Sequence, residues 1–252
     1  TFIEALVLAL GAAGREATVS LFPEGEPGPC SVDERPVARI TWHAGAGSDP
    51  LFAQILRRHT AKQAYDGSRA VAPDLLAQLA AANADSAIRF GATVQADRLE
   101  ALRALSLTAA RVELDTPRTV MESIRLTRVG PTEIARHRDG ISVNERLPRL
   151  VDAVGAFDRS RPPLPGSAAY RHTLARFEAQ SGSAAGFVWL STATARHREA
   201  GSLRSAEVRA GRAYLRLQLK ACELGLQMHP LSQALQEFEE MRDCYLQLHR
   251  LL

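Results

Sequence analysis

Hydrophobic and polar positions along the chain alternate between two rhythms, one helical and one extended. The chain opens on an amphipathic segment, which predicts a helix over 2–13, stopped by Gly14. Residues 17–22, rich in Thr and Val, and 37–43, with Ala38, Ile40 and Trp42 on one face, read as strands. Between them, 23–36 is a Gly/Pro-rich loop. Asp49-Pro50 pairs an N-cap acid with Pro at the first helical position, so a helix is expected from there to about Arg58, with Leu51, Ile55 and Leu56 inward. Further helices are predicted over 73–83, 96–112, 116–127, 147–157, 168–180 and 203–224. In the last of these Val208, Gly211, Leu215, Leu219 and Cys222 share one face. Strands are expected over 87–94, 186–192 (a short apolar run, read as fully buried) and 226–228, where His229-Pro230 breaks the pattern. Residues 130–144 read as irregular around an Asp139-Gly140 turn, and a final helix is expected from about Ser232.

Helices dominate, with about five strands interspersed. This predicts an α+β chain with helices flanking a sheet. One pattern recurs. Leu6-x-Leu8-x-Leu10-x-Ala12 matches Leu215-x-Leu217-x-Leu219-x-Ala221, and each copy precedes a strand ending in proline, at Pro23 and Pro230. Two accounts stay open, the general likeness of Ala/Leu helices and a duplicated unit.

Composition narrows the function classes. The chain has 252 residues with 46% apolar content, enough for a sizeable core, and the apolar bulk is Ala, Leu and Val rather than aromatic. Net charge is +3, but Arg and Glu are interspersed, so no nucleic-acid-binding arm is expected. The three cysteines, Cys30, Cys222 and Cys244, are far apart and odd in number, which argues against a disulfide framework. The seven histidines are scattered without metal-ligand spacing, so no metal site is expected. The apolar run at 5–13 is too short to span a bilayer, and nothing reads as a signal peptide. Neither end carries a start or capping signal, so the chain reads as a segment of a longer protein. Its compartment stays open: cytoplasmic by default, periplasmic if an upstream export signal was removed.

Two segments could carry chemistry. In Arg57-Arg58-His59-Thr60-Ala61-Lys62, followed by Tyr65-Asp66-Gly67, three cations and a hydroxyl within six residues suit a phosphate or the polar edge of a flat heterocycle. The same cluster suits a solvated helix C-terminus. In His229-Pro230-Leu231-Ser232-Gln233, free backbone N–H groups at a helix start suit a ring nitrogen or an anion, and equally a plain capping turn. Arg136-His137-Arg138-Asp139-Gly140 lacks the companions of a kinase catalytic loop and reads as a surface loop. Ser191-Thr192 lacks the flanking glycines of a nucleophile elbow.

Arg58-His59-Thr60-x-Lys62 with Tyr65-Asp66 resembles the flavin-binding signature near the start of flavin-dependent nitroreductases. The segment 210–217, continuing to Leu224-Gly225-Leu226 and Pro230-Leu231-Ser232-Gln233, is similar to a branch of nitroreductase-like proteins with two half-units in one chain. That branch includes dormancy-associated actinobacterial and twin-arginine-exported bacterial members. The stretch 14–23 also resembles it, while 84–183 is only loosely similar. The resemblance implies a three-layer α/β/α arrangement around a central mixed sheet, with the halves as a pseudo-dimer. Residues 1–50 would end the first half and 51–252 would form the second. It implies flavin mononucleotide (FMN) held by Arg57, Arg58, His59, Thr60 and Lys62, with Pro230, Leu231, Ser232 and Gln233 near the flavin N5 face. NADPH or NADH would be the electron donor and a quinone or nitroaromatic the small-molecule acceptor. The sequence departs from the branch at Ala61, Gln63 and Ala64, where Asn, Arg and Pro are usual, and at Ser232-Gln233, where a nitroreductase has Glu-Gly. Three functions therefore stand side by side: an oxidoreductase, a non-catalytic FMN-binding or storage protein, and a flavin-free interaction scaffold. Neither nucleic acid nor membrane insertion is expected, and the oligomeric state stays open.

Overall fold

The structure, a computed structural model, describes residues 1–28, 31, 33–45, 47–155, 158–192 and 203–252; of Leu147 and Leu203 it describes the backbone. Cys30 and Phe157, the end of the expected 147–157 helix, lie outside the described residues. The chain is of the α+β class, and helix outweighs strand. Its strands are β1 (Arg15–Leu21), β2 (Ala38–Ala44), β3 (Ile88–Thr93), β4 (Thr127–Val129), β5 (Ile141–Val143) and β6 (Phe187–Thr192). Among the described residues they pair two by two: β1 with β2 and β3 with β6 antiparallel, β4 with β5 parallel. The chain forms two compact units, one from residues 1–99 and 185–230 with Leu252, the other from 100–184 and 231–251.

The first unit is assembled around helix α8 (Leu203–Glu223), whose faces do different jobs. Leu215 and Leu219 pack on Leu8 of helix α1 (Phe2–Ala12) and on Leu51. Leu217 and Ala221 pack with Leu79 of helix α2 (Pro73–Ala81), and with Phe90, Val188 and Leu190 on the inner face of the β3–β6 ladder. Leu217 and Leu219 are fully buried, each contributing about 2 kcal/mol of apolar transfer. On the outer face of that ladder Gly91 lies opposite Trp189, whose ring sits where a Cβ at position 91 would go. The Arg98 guanidinium covers the same ring at 5.5 Å. Between α1 and β1 the chain reverses at Gly14, whose φ of +70° a side chain rarely tolerates.

A polar seam runs between these apolar faces. Glu4, only 3% exposed, accepts from Arg212 Nε at 2.8 Å and Arg216 Nη1 at 3.0 Å. Arg216 also donates to Asp49 Oδ2 at 2.8 Å, while Asp49 Oδ1 caps Leu51 N at 2.9 Å. These hydrogen bonds and the Arg216 charge hold the Asp49 carboxyl below its ordinary range against the opposing effect of burial.

In the second unit, helices α3 (Ala96–Asp115) and α9 (Arg242–Leu251) bring Leu105, Ala109 and Cys244 onto Met241. Helix α4 (Pro117–Arg125) contributes Arg118, which grips Glu240 with both nitrogens, at 2.8 and 2.5 Å, and holds that carboxyl down at about 2. Helices α5 (Gly130–Arg136) and α6 (Arg146–Ala153) flank the β4–β5 pair, and α7 (Ala168–Gly182) follows, its Tyr170 hydroxyl donating to Asp115 at 2.9 Å.

Five expectations need correction. The helix expected from Asp49-Pro50 to Arg58 is a 3₁₀ turn, Pro50–Gln54, whose Gln54 carbonyl takes both Arg57 N and Arg58 N before the chain extends. Leu56, expected inward, is 98% exposed for that reason. The strand expected at 226–228 is a single bridge, Thr60 to Met228. The run at 186–192 is a half-buried edge strand, because only one of its faces meets α8. Residues 130–144 are ordered as α5 and β5 rather than irregular, since Gly130 at φ +78° opens a helix that crosses between parallel strands. The helix expected from Ser232 begins only at Arg242, after 3₁₀ turns Gln233–Leu235 and Glu239–Met241. Gln233 and Gln236 bond the Glu113 carboxylate, which holds this stretch out of helical phase.

Candidate functional site

After the 3₁₀ turn, His59 and Thr60 leave helical geometry and run alongside the segment that follows α8. Thr60 forms a parallel bridge with Met228, and Ala61 N donates to Met228 O at 3.1 Å. His229 Nδ1 lies 2.6 Å from Ala61 O. A carbonyl only accepts, so Nδ1 carries the proton and Nε2 is left with its lone pair. Burial pushes the imidazole below its ordinary 6.5, assisted by the Lys62 charge, although the Ala61 bond works in the other direction. The structure thus joins two segments, 57–62 and 228–230, that lie some 168 residues apart.

The cations at this junction differ in environment. Arg57, His59 and Lys62 are exposed, and the His59 ring reaches only the Arg57 carbonyl, at 3.4 Å. Arg58 is half-buried and donates from Nη1 to Gln218 Oε1 at 3.2 Å. Gln218 is 4% exposed, and its Nε2 is buried without a hydrogen-bond partner among the described residues. An orphaned buried amide N–H costs about 1–3 kcal/mol, so such a group calls for a partner that completes it. One turn earlier on α8, the Tyr214 phenol is raised by burial, as is that of Tyr65. One turn later, Cys222 Sγ donates to the buried Gln54 Oε1 at 3.5 Å.

Pro230 is exposed in the first unit. Leu231, Ser232 and Gln233 belong to the second, where Ser232 makes no side-chain cap and Gln233 bonds Glu113. Burial raises the Glu113 carboxyl, and its bonds to Gln233, Gln236 and Ser123 oppose that shift.

Sequence reasoning missed Gln218 and Tyr214; His229 stood at the head of the second candidate segment, without the Ala61 partner that the structure gives it. The signal was available. Tyr214, Gln218 and Cys222 recur every fourth residue on an α8 face between two apolar ones, but the Leu215–Leu219 face is the stronger pattern and masks it. Ala61 also acquires a reason. It is 5% exposed with both backbone groups engaged, so a larger side chain there would have to be accommodated in a buried position. No protein-family model matches the sequence, and no curated protein matches it.

Proposed function

We propose that this chain binds flavin mononucleotide and acts as an oxidoreductase of the nitroreductase-like kind, taking electrons from NADPH or NADH for a small-molecule quinone or nitroaromatic. The observation that carries the reading is the junction at Thr60 and Met228. It unites the two segments on which the resemblance rests, and the resemblance alone did not require them to touch. The residues present fit the group. Arg57, His59 and Lys62 offer exposed donors suited to a phosphate, and the orphaned Gln218 Nε2 beside Arg58 offers a buried donor for a ring carbonyl. When bound, the flavin supplies the two-electron chemistry. The chain's own residues then bind and orient it: Arg58 is positioned by Gln218, and His229 keeps its proton at Nδ1 against Ala61 O.

The finer architecture, a three-layer fold with half-units 1–50 and 51–252, belongs to the same proposal. It is supported by the packing of α1 on α8, the two helices that carry the repeated Leu-x-Leu-x-Leu-x-Ala pattern. A second reading, a protein that holds FMN without turnover, is favoured by Gln233. Its side-chain amide bonds Glu113 and has no titratable proton or redox chemistry of its own to offer a flavin.

The test is the absorbance spectrum of the purified protein after incubation with FMN, before and after anaerobic NADPH or NADH. Flavin bands that bleach support the oxidoreductase. Bands that persist support the FMN-holding protein. Absence of bands after gel filtration rejects both and leaves an interaction scaffold.

A further inference from the structure

The segment from Arg125 to Val154 in the second unit holds an unbalanced charge that composition conceals. Its four acids all sit in ion pairs, shared among three arginines because Arg159 takes two of them. Asp139 meets Arg128 at 3.1 Å, Glu133 meets Arg159 at 2.8 Å, Asp152 meets Arg159 at 3.3 Å and Glu145 meets Arg176 at 3.1 Å. Arg125, Arg136, Arg138, Arg146 and Arg149 are exposed, and no acid among the described residues pairs with them. Five guanidiniums outside these pairs, against the one carboxylate charge that Arg159 leaves unmatched, form a local cationic field between the end of α4 and the end of α6, although the whole chain carries only +3.

Exposed apolar side chains are interspersed with these arginines along the segment. Leu150 and Val154 are 62% and 69% exposed, and with Arg146 they occupy every fourth position along α6 and its end. On the neighbouring ladder Leu126 and Ile141, each about two-fifths exposed, are adjacent: Ile141 N donates to Leu126 O at 2.9 Å. Arg149 lies against Gly130 at the end of β4, which places α6 beside that ladder.

We propose that this face docks peripherally on an anionic lipid bilayer, with Arg125, Arg136, Arg138, Arg146 and Arg149 among the headgroups and Leu150 and Val154 at the acyl boundary. Charge complementarity selects an anionic partner, and the aliphatic side chains choose among anionic partners. They have no counterpart on a phosphate backbone, and the segment has no Phe, Tyr or Trp on which bases could stack. Guanidiniums on long stems interspersed along one segment with exposed aliphatics, as Arg146, Leu150 and Val154 are along α6 and its end, are the pattern of interfacial binding, in which the stems reach past the apolar layer to the headgroups. No helix among the described residues is long and apolar enough to cross a membrane, so the association is to the surface.

The test is co-sedimentation of the whole chain with vesicles of phosphatidylcholine alone and of equal parts phosphatidylcholine and phosphatidylglycerol. Binding is expected to the mixed vesicles only, and to fall in about 1 M salt, where the Debye length is about 3 Å. Each arginine near the surface contributes about fivefold, so Arg146→Gln with Arg149→Gln is expected to weaken binding roughly 25-fold. Leu150→Gln is expected to weaken it several-fold at any salt concentration. Arg69→Gln with Arg89→Gln removes equal charge from exposed positions in the other unit and is expected to change nothing. All these residues are exposed, so circular dichroism should match the parent. Equal binding to neutral vesicles, no binding to mixed ones, unchanged binding of the Arg146/Arg149 variant, or tighter binding to a single-stranded oligonucleotide would each overturn the proposal.

Discussion

A carboxylate as enclosed as that of Glu4 persists in a helix interface because two guanidiniums, of Arg212 and Arg216, complete it. Glu4→Ala removes the shared acceptor and leaves both cations half-buried, with Arg216 still bonded to Asp49 and to the Ala82 carbonyl. The expected loss is about 3 kcal/mol, read as a lowered urea midpoint at unchanged m-value. His229 makes a pH-dependent prediction. Burial lowers its folded pKa below the ordinary 6.5, so the unfolded chain takes up the proton first as pH falls. The contribution of the neutral ring is therefore complete above about pH 6.5 and declines as pH drops through that value toward the folded pKa. His229→Gln is expected to show a smaller fall in urea midpoint between about pH 7.5 and about pH 5.5 than the parent. An equal or larger fall in the variant would show that other groups carry the titration.

At the scale of elements, the β3–β6 ladder is the least tolerant of added volume. Gly91→Ala drives a methyl into the Trp189 ring, and a paired strand cannot retreat without giving up ladder bonds. The expected cost is about 1–3 kcal/mol, accompanied by a change in tryptophan fluorescence as the Arg98 stack shifts. The elements legible in the sequence are those whose patterning is local. Helix α1, strands β1 to β3 and helix α8 fall within a few residues of expectation, because period and punctuation agree there. The misses share a cause. The Met228 bridge and the delayed start of α9 are set by partners distant in sequence, Ala61 and Glu113, and the 3₁₀ turn at Pro50 follows a cap, Asp49, that Arg216 of α8 holds. The site was legible to the same extent. Arg58, Thr60 and Lys62 announce themselves as a run of cations and a hydroxyl. Gln218 becomes visible only once α8 has been assigned a third face, whereas His229 is already marked by the break at His229-Pro230 and gains from the structure its partner, Ala61 O.

For the molecule as a whole, the orphaned amide of Gln218 couples stability to ligand. An unfolded chain hydrates that N–H, while the folded chain buries it without a partner among the described residues, so the ligand-free protein gives up part of its stability at this one atom. Gln218→Leu keeps the volume and removes the orphan at the cost of the Arg58 bond, so the ligand-free variant is expected to lie within about 1 kcal/mol of the parent. The two proteins should separate when FMN is added. A ligand that binds only the folded state stabilises by about 2.7 kcal/mol at a hundredfold excess over Kd and about 1.4 kcal/mol more per further tenfold. The parent should follow that line across an FMN titration of its urea midpoint, and the variant should need at least tenfold more FMN for the same gain. If instead Gln218→Leu is strongly destabilised without FMN, the amide has a structural partner and does not await a ligand. If both proteins gain equally from FMN, the flavin binds away from α8, and the exposed cations at 57–62 rather than the buried pair Arg58–Gln218 carry its affinity.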